Sequence, residues 1–120
     1  MSNANMTVLY GIKNCDSVKK ARTWLSEQGY AHDFCDLRSG DLNLKTVVRW
    51  IEMTSSDVLL NRRGTTWRKL DSAIKESVNQ ENIAELLLAN PTLIKRPVLD
   101  YDGRITVGFK PELYSTIFNH

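Results

Sequence analysis

The chain has 120 residues, 42% hydrophobic and 25% charged, with a formal net charge of +2; that mixture belongs to a folded chain, and that length to one domain around a single apolar core. So small a charge, with no basic stripe interleaved by aromatics, argues against a nucleic-acid partner. No apolar run approaches the roughly 20 residues that cross a bilayer and no signal-peptide pattern opens the chain, so no membrane partner and a cytoplasmic location are expected.

The opening Met1-Ser2-Asn3-Ala4-Asn5 is polar and patternless, which reads as an expression scar over 1–5 ahead of a native start at Met6. Thr7-Val8-Leu9-Tyr10 is a β-branched, apolar run that stops at Gly11, the pattern of a buried strand. After a short loop containing Cys15, Val18, Ala21 and Leu25 recur at helical spacing from Asp16 on. Trp24 widens the stripe and Gly29 supplies a left-handed stop. Tyr30 to Leu37 alternates loosely around Phe34 and Cys35 and predicts a second strand, parallel to the first because a helical crossover joins them.

Leu44, Val47, Val48 and Ile51 stand at i, i+3, i+4 and i+7 and predict a second helix capped by Asp41 or Asn43. Residues 55–90 carry no strand pattern. They hold apolar clusters at Val58-Leu59-Leu60, Leu70 and Ile74, then a cleaner helix around Ile83, Leu86 and Leu87 that Asn90-Pro91 terminates. A helical lobe over about 41–90 follows. Pro97 to Tyr101 and Arg104 to Val107 flank Asp102-Gly103, which suits a two-residue type I′ hairpin. Pro111 opens a final helix able to pack Leu113, Tyr114 and Ile117 on the sheet. The order βαβ, helices, ββα predicts an α/β fold with a thioredoxin-like, mixed four-stranded sheet and a helical insertion, in one domain over 6–118.

Cys15 and Cys35 form no Cys-x-x-Cys pair and match no zinc spacing, and His32 and His120 stand far apart, so no metal site is expected. A lasting disulfide between the cysteines is not expected in the cytoplasm, while reversible pairing during a reaction cycle stays open. Cys15 meets the first helix at its N-terminus, where free N–H groups and a partial positive charge favour a thiolate. Lowering a thiol by two pKa units takes about 2.7 kcal/mol, of which a helix end supplies roughly 1–2 kcal/mol. Lys13, the Ser17 hydroxyl or a basic residue from elsewhere must add the rest, against the opposition of Asp16. Position alone therefore leaves Cys15 two roles, reactive thiolate or packed side chain. Cys35, inside a strand, reads as core. Arg96-Pro97 is a second constellation: the arginine suits bidentate contact with a carboxylate or oxyanion. The proline is either cis, leaving the Arg96 backbone to pair with an extended thiol peptide beside Cys15, or trans at the start of an edge strand.

From Met6 to Phe118 the chain resembles the arsenate reductase-like family, which shares its fold with the redox regulator Spx, and within it the YffB-type members. Three segments in order carry the likeness: Tyr10-Gly11-Ile12-Lys13-Asn14-Cys15-Asp16, Leu59-Leu60-Asn61-Arg62-Arg63-Gly64-Thr65-Thr66-Trp67-Arg68-Lys69-Leu70, and Leu93-Ile94-Lys95-Arg96-Pro97. The resemblance implies that Cys15 is the nucleophile among basic residues. It also implies that Arg96 is the family arginine before the proline, and that Pro97 is the cis proline. Where arsenate reductases proper carry further arginines, this chain has Asn61 and Lys110, which counts against arsenate; Arg63 lies two residues beyond Asn61.

The YffB-type likeness implies a glutathione-dependent thiol reductase, and Val18, where a second cysteine would stand, fits a cycle resolved by an external thiol. The implied site joins Cys15 to a glutathione or anion subsite of Lys13, Asn14, Ser17, Arg63, Arg96 and Pro97. Glutathione is then a co-substrate, with no tightly bound cofactor, and a small or protein disulfide is the other partner. An Spx-like regulator that binds RNA polymerase is the competing implication. The missing redox pair and the Leu-Leu-Asn motif stand against it. An arsenate reductase proper is the third reading.

Overall fold

The computed structural model describes residues 7–118, so the scar over 1–5, the start at Met6 and His120 lie outside the described residues. The elements run β1 (Thr7–Gly11), α1 (Asp16–Glu27), β2 (Asp33–Asp36), α2 (Leu44–Met53), α3 (Ser56–Leu59), α4 (Thr65–Lys69), α5 (Ser72–Ser77), α6 (Ile83–Ala89), a 3₁₀ turn (Pro91–Leu93), β3 (Val98–Tyr101), β4 (Arg104–Val107) and α7 (Pro111–Phe118). They divide into two compact units, one drawn from the described residues within 1–36 and 96–120, the other from Leu37–Lys95. The lobe expected at about 41–90 falls within the second.

The first unit is a mixed sheet of order β2-β1-β3-β4, in which β1 is parallel to β2 and antiparallel to β3, and β3 is antiparallel to β4. This is the thioredoxin-like arrangement. Asp102 (φ 52°) and Gly103 (φ 85°) are both left-handed, as a type I′ turn requires, and Asp100 accepts a hydrogen bond from the Gly103 N–H at 3.2 Å. Leu9, Val18, Ala21, Leu25, Leu99, Tyr114, Ile117 and Phe118 form one buried cluster drawn from the sheet, α1 and α7. Each large apolar side chain fully buried there contributes about 1.5–3 kcal/mol.

Glycine at position 11 lets α1 close on β1, because a Cβ there would lie 2.5 Å from Val18 Cγ2. The helix ends in a Schellman motif: the Gly29 N–H donates to the Ser26 carbonyl at 3.1 Å and the Tyr30 N–H to the Leu25 carbonyl at 2.9 Å, with Gly29 at φ 79°. That cap holds Tyr30 on the helix, so β2 is shorter than the expected Tyr30–Leu37. In α7 the expected packing of Leu113 is corrected. Tyr114, Ile117 and Phe118 share the buried face and Leu113, outside that i, i+3, i+4 set, is 40% exposed. Pro97 precedes β3 rather than opening it.

In the second unit α2 packs on α6. Asn43, not Asp41, caps α2, accepting from the Thr46 N–H at 2.9 Å. The apolar stripe is rotated from expectation: Val47 and Trp50 are fully buried, while Leu44 and Val48 are exposed. The indole carries more apolar area than either aliphatic and takes the inner face. Leu60 pairs with Ile94 in an isolated antiparallel bridge. On either side, the Lys95 N–H donates to the Leu59 carbonyl at 2.8 Å and the Asn61 N–H to the Leu93 carbonyl at 2.7 Å. Residues 55–90 thus hold one bridge position where no strand pattern was visible. One residue per side is too short to show alternation.

Candidate active site

Beyond β1 the chain turns back at once: the Cys15 N–H donates to the Ile12 carbonyl at 3.0 Å, with exposed Lys13 and Asn14 at the centre of the turn. Cys15 is the residue that caps α1. Its backbone is extended (φ −83°, ψ 127°) and its carbonyl accepts the first helical bond, from the Lys19 N–H at 3.0 Å. Half-buried against the core cluster, it lies where the second and third amides of the helix, Ser17 and Val18, have no helical acceptor.

The Cys15 side chain makes no cap hydrogen bond to α1. Burial pushes its pKa up, but the Val18 amide, the Arg96 guanidinium and the Ser17 amide together outweigh burial and hold it below the ordinary thiol value. Arg96 acts both as a hydrogen-bond donor and as a charge.

Arg96 is half-buried, and the peptide bond between it and Pro97 is cis. Pro97 is buried, and its carbonyl accepts from the Gly108 N–H at 2.8 Å, which ties this loop to the end of β4. Gly108 has φ +88°, a conformation that L side chains rarely adopt. The first unit thus brings Cys15, Ser17 and Arg96 to one place, with Pro97 fixed beside Arg96.

Two details differ from expectation. Ser17 favours the thiolate through its amide rather than its hydroxyl, and Lys13 is not among the groups that lower the thiol. The free helix N–H groups expected at the thiol are those of Val18 and Ser17, Val18 foremost, which the sequence did not single out. The available signal was positional: an N-cap side chain accepts from the second or third amide of its helix, whatever residue carries it.

Arg63 belongs to the second unit and is exposed. Its N–H takes the Asn61 Oδ1 at 3.0 Å and its carbonyl accepts from Arg68 Nη2 at 2.9 Å. Asn61 therefore spends its side chain on a local turn. Lys110 is exposed at the start of α7, where its carbonyl accepts from the Tyr114 N–H at 3.1 Å. Cys35 is half-buried on β2, an edge strand, rather than fully in the core. It pairs with Tyr10 while Leu9 pairs with Phe34, and Leu9 and Phe34 face the α1 cluster, so Cys35 points to the other side of the sheet from Cys15. Neither cysteine is in a disulfide.

A family model described as the ArsC family matches residues 10–117. The chain belongs to the ArsC family. The solved structure of a YffB protein is similar to this ArsC-family chain at 48% identity and a TM-score of 0.88, covering 92% of this chain and 97% of that one. An uncharacterized protein of Haemophilus influenzae is 42% identical over 113 residues, 94% of this chain and 99% of its relative. The global transcriptional regulator Spx of Listeria innocua is more distant, 29% identical over 109 residues, 89% of this chain and 82% of the regulator.

Proposed function

We propose that this ArsC-family protein is a glutathione-dependent thiol reductase with Cys15 as nucleophile. The observation that carries the reading is a helix-capping cysteine whose thiolate is favoured by Arg96 as well as by two helix amides. The Cys15 thiolate attacks one sulfur of a disulfide R–S–S–R′; a Cys15–S–S–R bond forms as the substrate disulfide breaks, and R′–S⁻ leaves and takes up a proton. Glutathione thiolate then attacks the Cys15 sulfur and releases R–S⁻. A second glutathione attacks the Cys15–glutathione disulfide, giving oxidised glutathione and restoring the Cys15 thiolate. In sum, one substrate disulfide is reduced to two thiols while two glutathione molecules become one glutathione disulfide.

Arg96 and Lys13 hold glutathione's carboxylates in this scheme, Arg96 by a charge-assisted and bidentate fit. Asn14, Ser17 and Pro97 complete the subsite. Val18, buried in the α1 core one turn from Cys15, supports resolution by an external thiol rather than by a second cysteine.

The test is a glutathione-coupled disulfide reductase assay of Cys15→Ser and Cys35→Ala. We expect Cys15→Ser to fall to background and Cys35→Ala to retain activity; wild-type activity in both overturns the proposal. The name of the Listeria relative motivates one control. Stoichiometric recovery of RNA polymerase in a pull-down, with no reductase activity, favours a regulator instead. Arsenate-dependent NADPH oxidation in a glutathione and glutaredoxin system tests the third reading, an arsenate reductase proper.

A further inference from the structure

Along α1, away from the thiol, the first unit holds an open cavity of about 360 Å³ that the scheme above does not use. Its walls are Trp24 on α1, Phe109 in the loop after β4, and Pro111 at the start of α7; Lys19 and Lys20 stand at one end and Glu27 at the other. Two aromatic walls and a proline make a surface for an apolar body. The volume lies at the lower end of the range for small-molecule sites.

The walls are fixed rather than loose. Tyr114 is fully buried and meets both rings edge-on, Trp24 at 5.7 Å and Phe109 at 4.8 Å between centroids, with interplanar angles of 86° and 89°. Edge-to-face contacts of this kind hold ring orientation as well as burying area. The charges are arranged along the helix. Lys19 and Glu27 are eight residues apart, which is about 12 Å of rise at 1.5 Å per residue. Among the described residues neither lysine has an ion pair within the protein. The lysine end therefore presents two unneutralised ammonium groups beside an apolar trough.

We propose that this cavity is a binding site for small apolar carboxylates, the hydrocarbon lying between Trp24, Phe109 and Pro111 and the carboxylate meeting Lys19 and Lys20. Glu27 disfavours the reversed orientation and excludes a carboxylate at the far end. The site stands independently of the role of Cys15, although Lys19 follows Cys15 by one helical turn.

The experiment titrates 4-phenylbutyrate, 4-phenylbutanol and 4-phenylbutylamine into ¹⁵N-labelled full-length protein and into its Cys15→Ser variant, following the three tryptophan indole signals. We expect saturable shifts of Trp24, and not of Trp50 or Trp67, with the acid binding about fivefold more tightly than the alcohol, the size that two exposed charge contacts supply. The amine should bind more weakly still. Lys19→Gln with Lys20→Gln should bring the acid to the affinity of the alcohol. Thr23→Phe fills the cavity from an exposed position without touching the core, and should abolish binding of both. Equal affinity for the three probes, saturation centred on another tryptophan, unsaturable shifts, or binding untouched by Thr23→Phe overturns the proposal. The Cys15→Ser arm should match wild type whether or not Cys15 is a nucleophile.

Discussion

Arg96 adds to what the end of a helix supplies to the Cys15 thiolate. A helix terminus accounts for roughly 1–2 kcal/mol of thiolate stabilisation, and half-burial of the sulfur works against it; the Val18 amide, the Arg96 guanidinium and the Ser17 amide together outweigh that burial. Because Arg96 stabilises the charged sulfur, removing it must raise the pKa. Alkylation of Cys15 by iodoacetamide across a pH series should give a midpoint below that of an ordinary thiol, and Arg96→Met should move that midpoint upward. Glutathione should protect the wild-type thiol from alkylation and protect the Arg96 variant less. A midpoint unchanged by Arg96→Met would remove the arginine from the site. Tyr114 poses the opposite problem. Its hydroxyl is buried with no hydrogen-bond partner among the described residues, and burial pushes the phenol well above its ordinary value. Leaving such a group unpaired costs about 1–3 kcal/mol, so Tyr114→Phe should match or exceed wild-type stability by about 1 kcal/mol in urea denaturation at neutral pH. Above pH 10, near the ordinary phenol pKa, the unfolded chain releases this proton and the folded one keeps it, which favours unfolding as pH rises. The gap between wild type and Tyr114→Phe should therefore widen in alkali. Cys15, Arg96 and Pro97 were legible in the sequence because a side chain or a short motif announces each. The helix amides were expected only as a class; which of them favour the thiolate, Val18 ahead of Ser17, no letter announces.

The pairing of β1 with α1 rests on a missing side chain at Gly11. Gly11→Ala should destabilise the protein by about 1–3 kcal/mol through overpacking against Val18. Combining it with Val18→Ala should cost less than the sum of the two single changes, since the second makes room for the first; strict additivity in denaturation midpoints would show that the crowding is relieved elsewhere. At this scale the sequence spoke clearly wherever local chemistry forced the outcome. Asp102-Gly103 can do little but turn a hairpin, and Gly29 stops α1 where a left-handed residue is needed. It misled where spacing alone had to choose a face. In α2, Leu44 and Val48 fit the helical period as well as Trp50 does, and the larger ring settled the choice. Phe118 displaced Leu113 on α7 in the same way, stacking on Tyr30 at 4.3 Å. The late start of β2 follows from the Tyr30 N–H bond to the Leu25 carbonyl, which no alternation pattern records.

At the scale of the whole molecule, β1 is hydrogen-bonded on both sides, to β2 and to β3, while β2 and β4 lie at the sheet edges. Its amides should exchange with solvent only on global opening, and those of β2 and β4 sooner; native-state hydrogen exchange that ranks β2 with β1 would contradict this. The segment Leu37–Lys95 interrupts the first unit between β2 and Arg96, and two of the family-like stretches meet within it, Leu59 and Asn61 bonding to Lys95 and Leu93. Length and periodicity predicted an inserted helical lobe. They could not show that its middle is bonded to its C-terminal end, because that contact joins residues more than thirty positions apart. The same interruption orders events in time. Arg96 follows Cys15 by 81 residues, which at roughly 5–20 residues per second is several seconds of synthesis. Through that interval the growing chain carries a thiol without the arginine that lowers its pKa and without the strand that completes the sheet beside it. The chain makes its cysteine early and the arginine that favours its thiolate late, so Cys15 should alkylate more slowly in a chain truncated before Arg96 than in the whole protein.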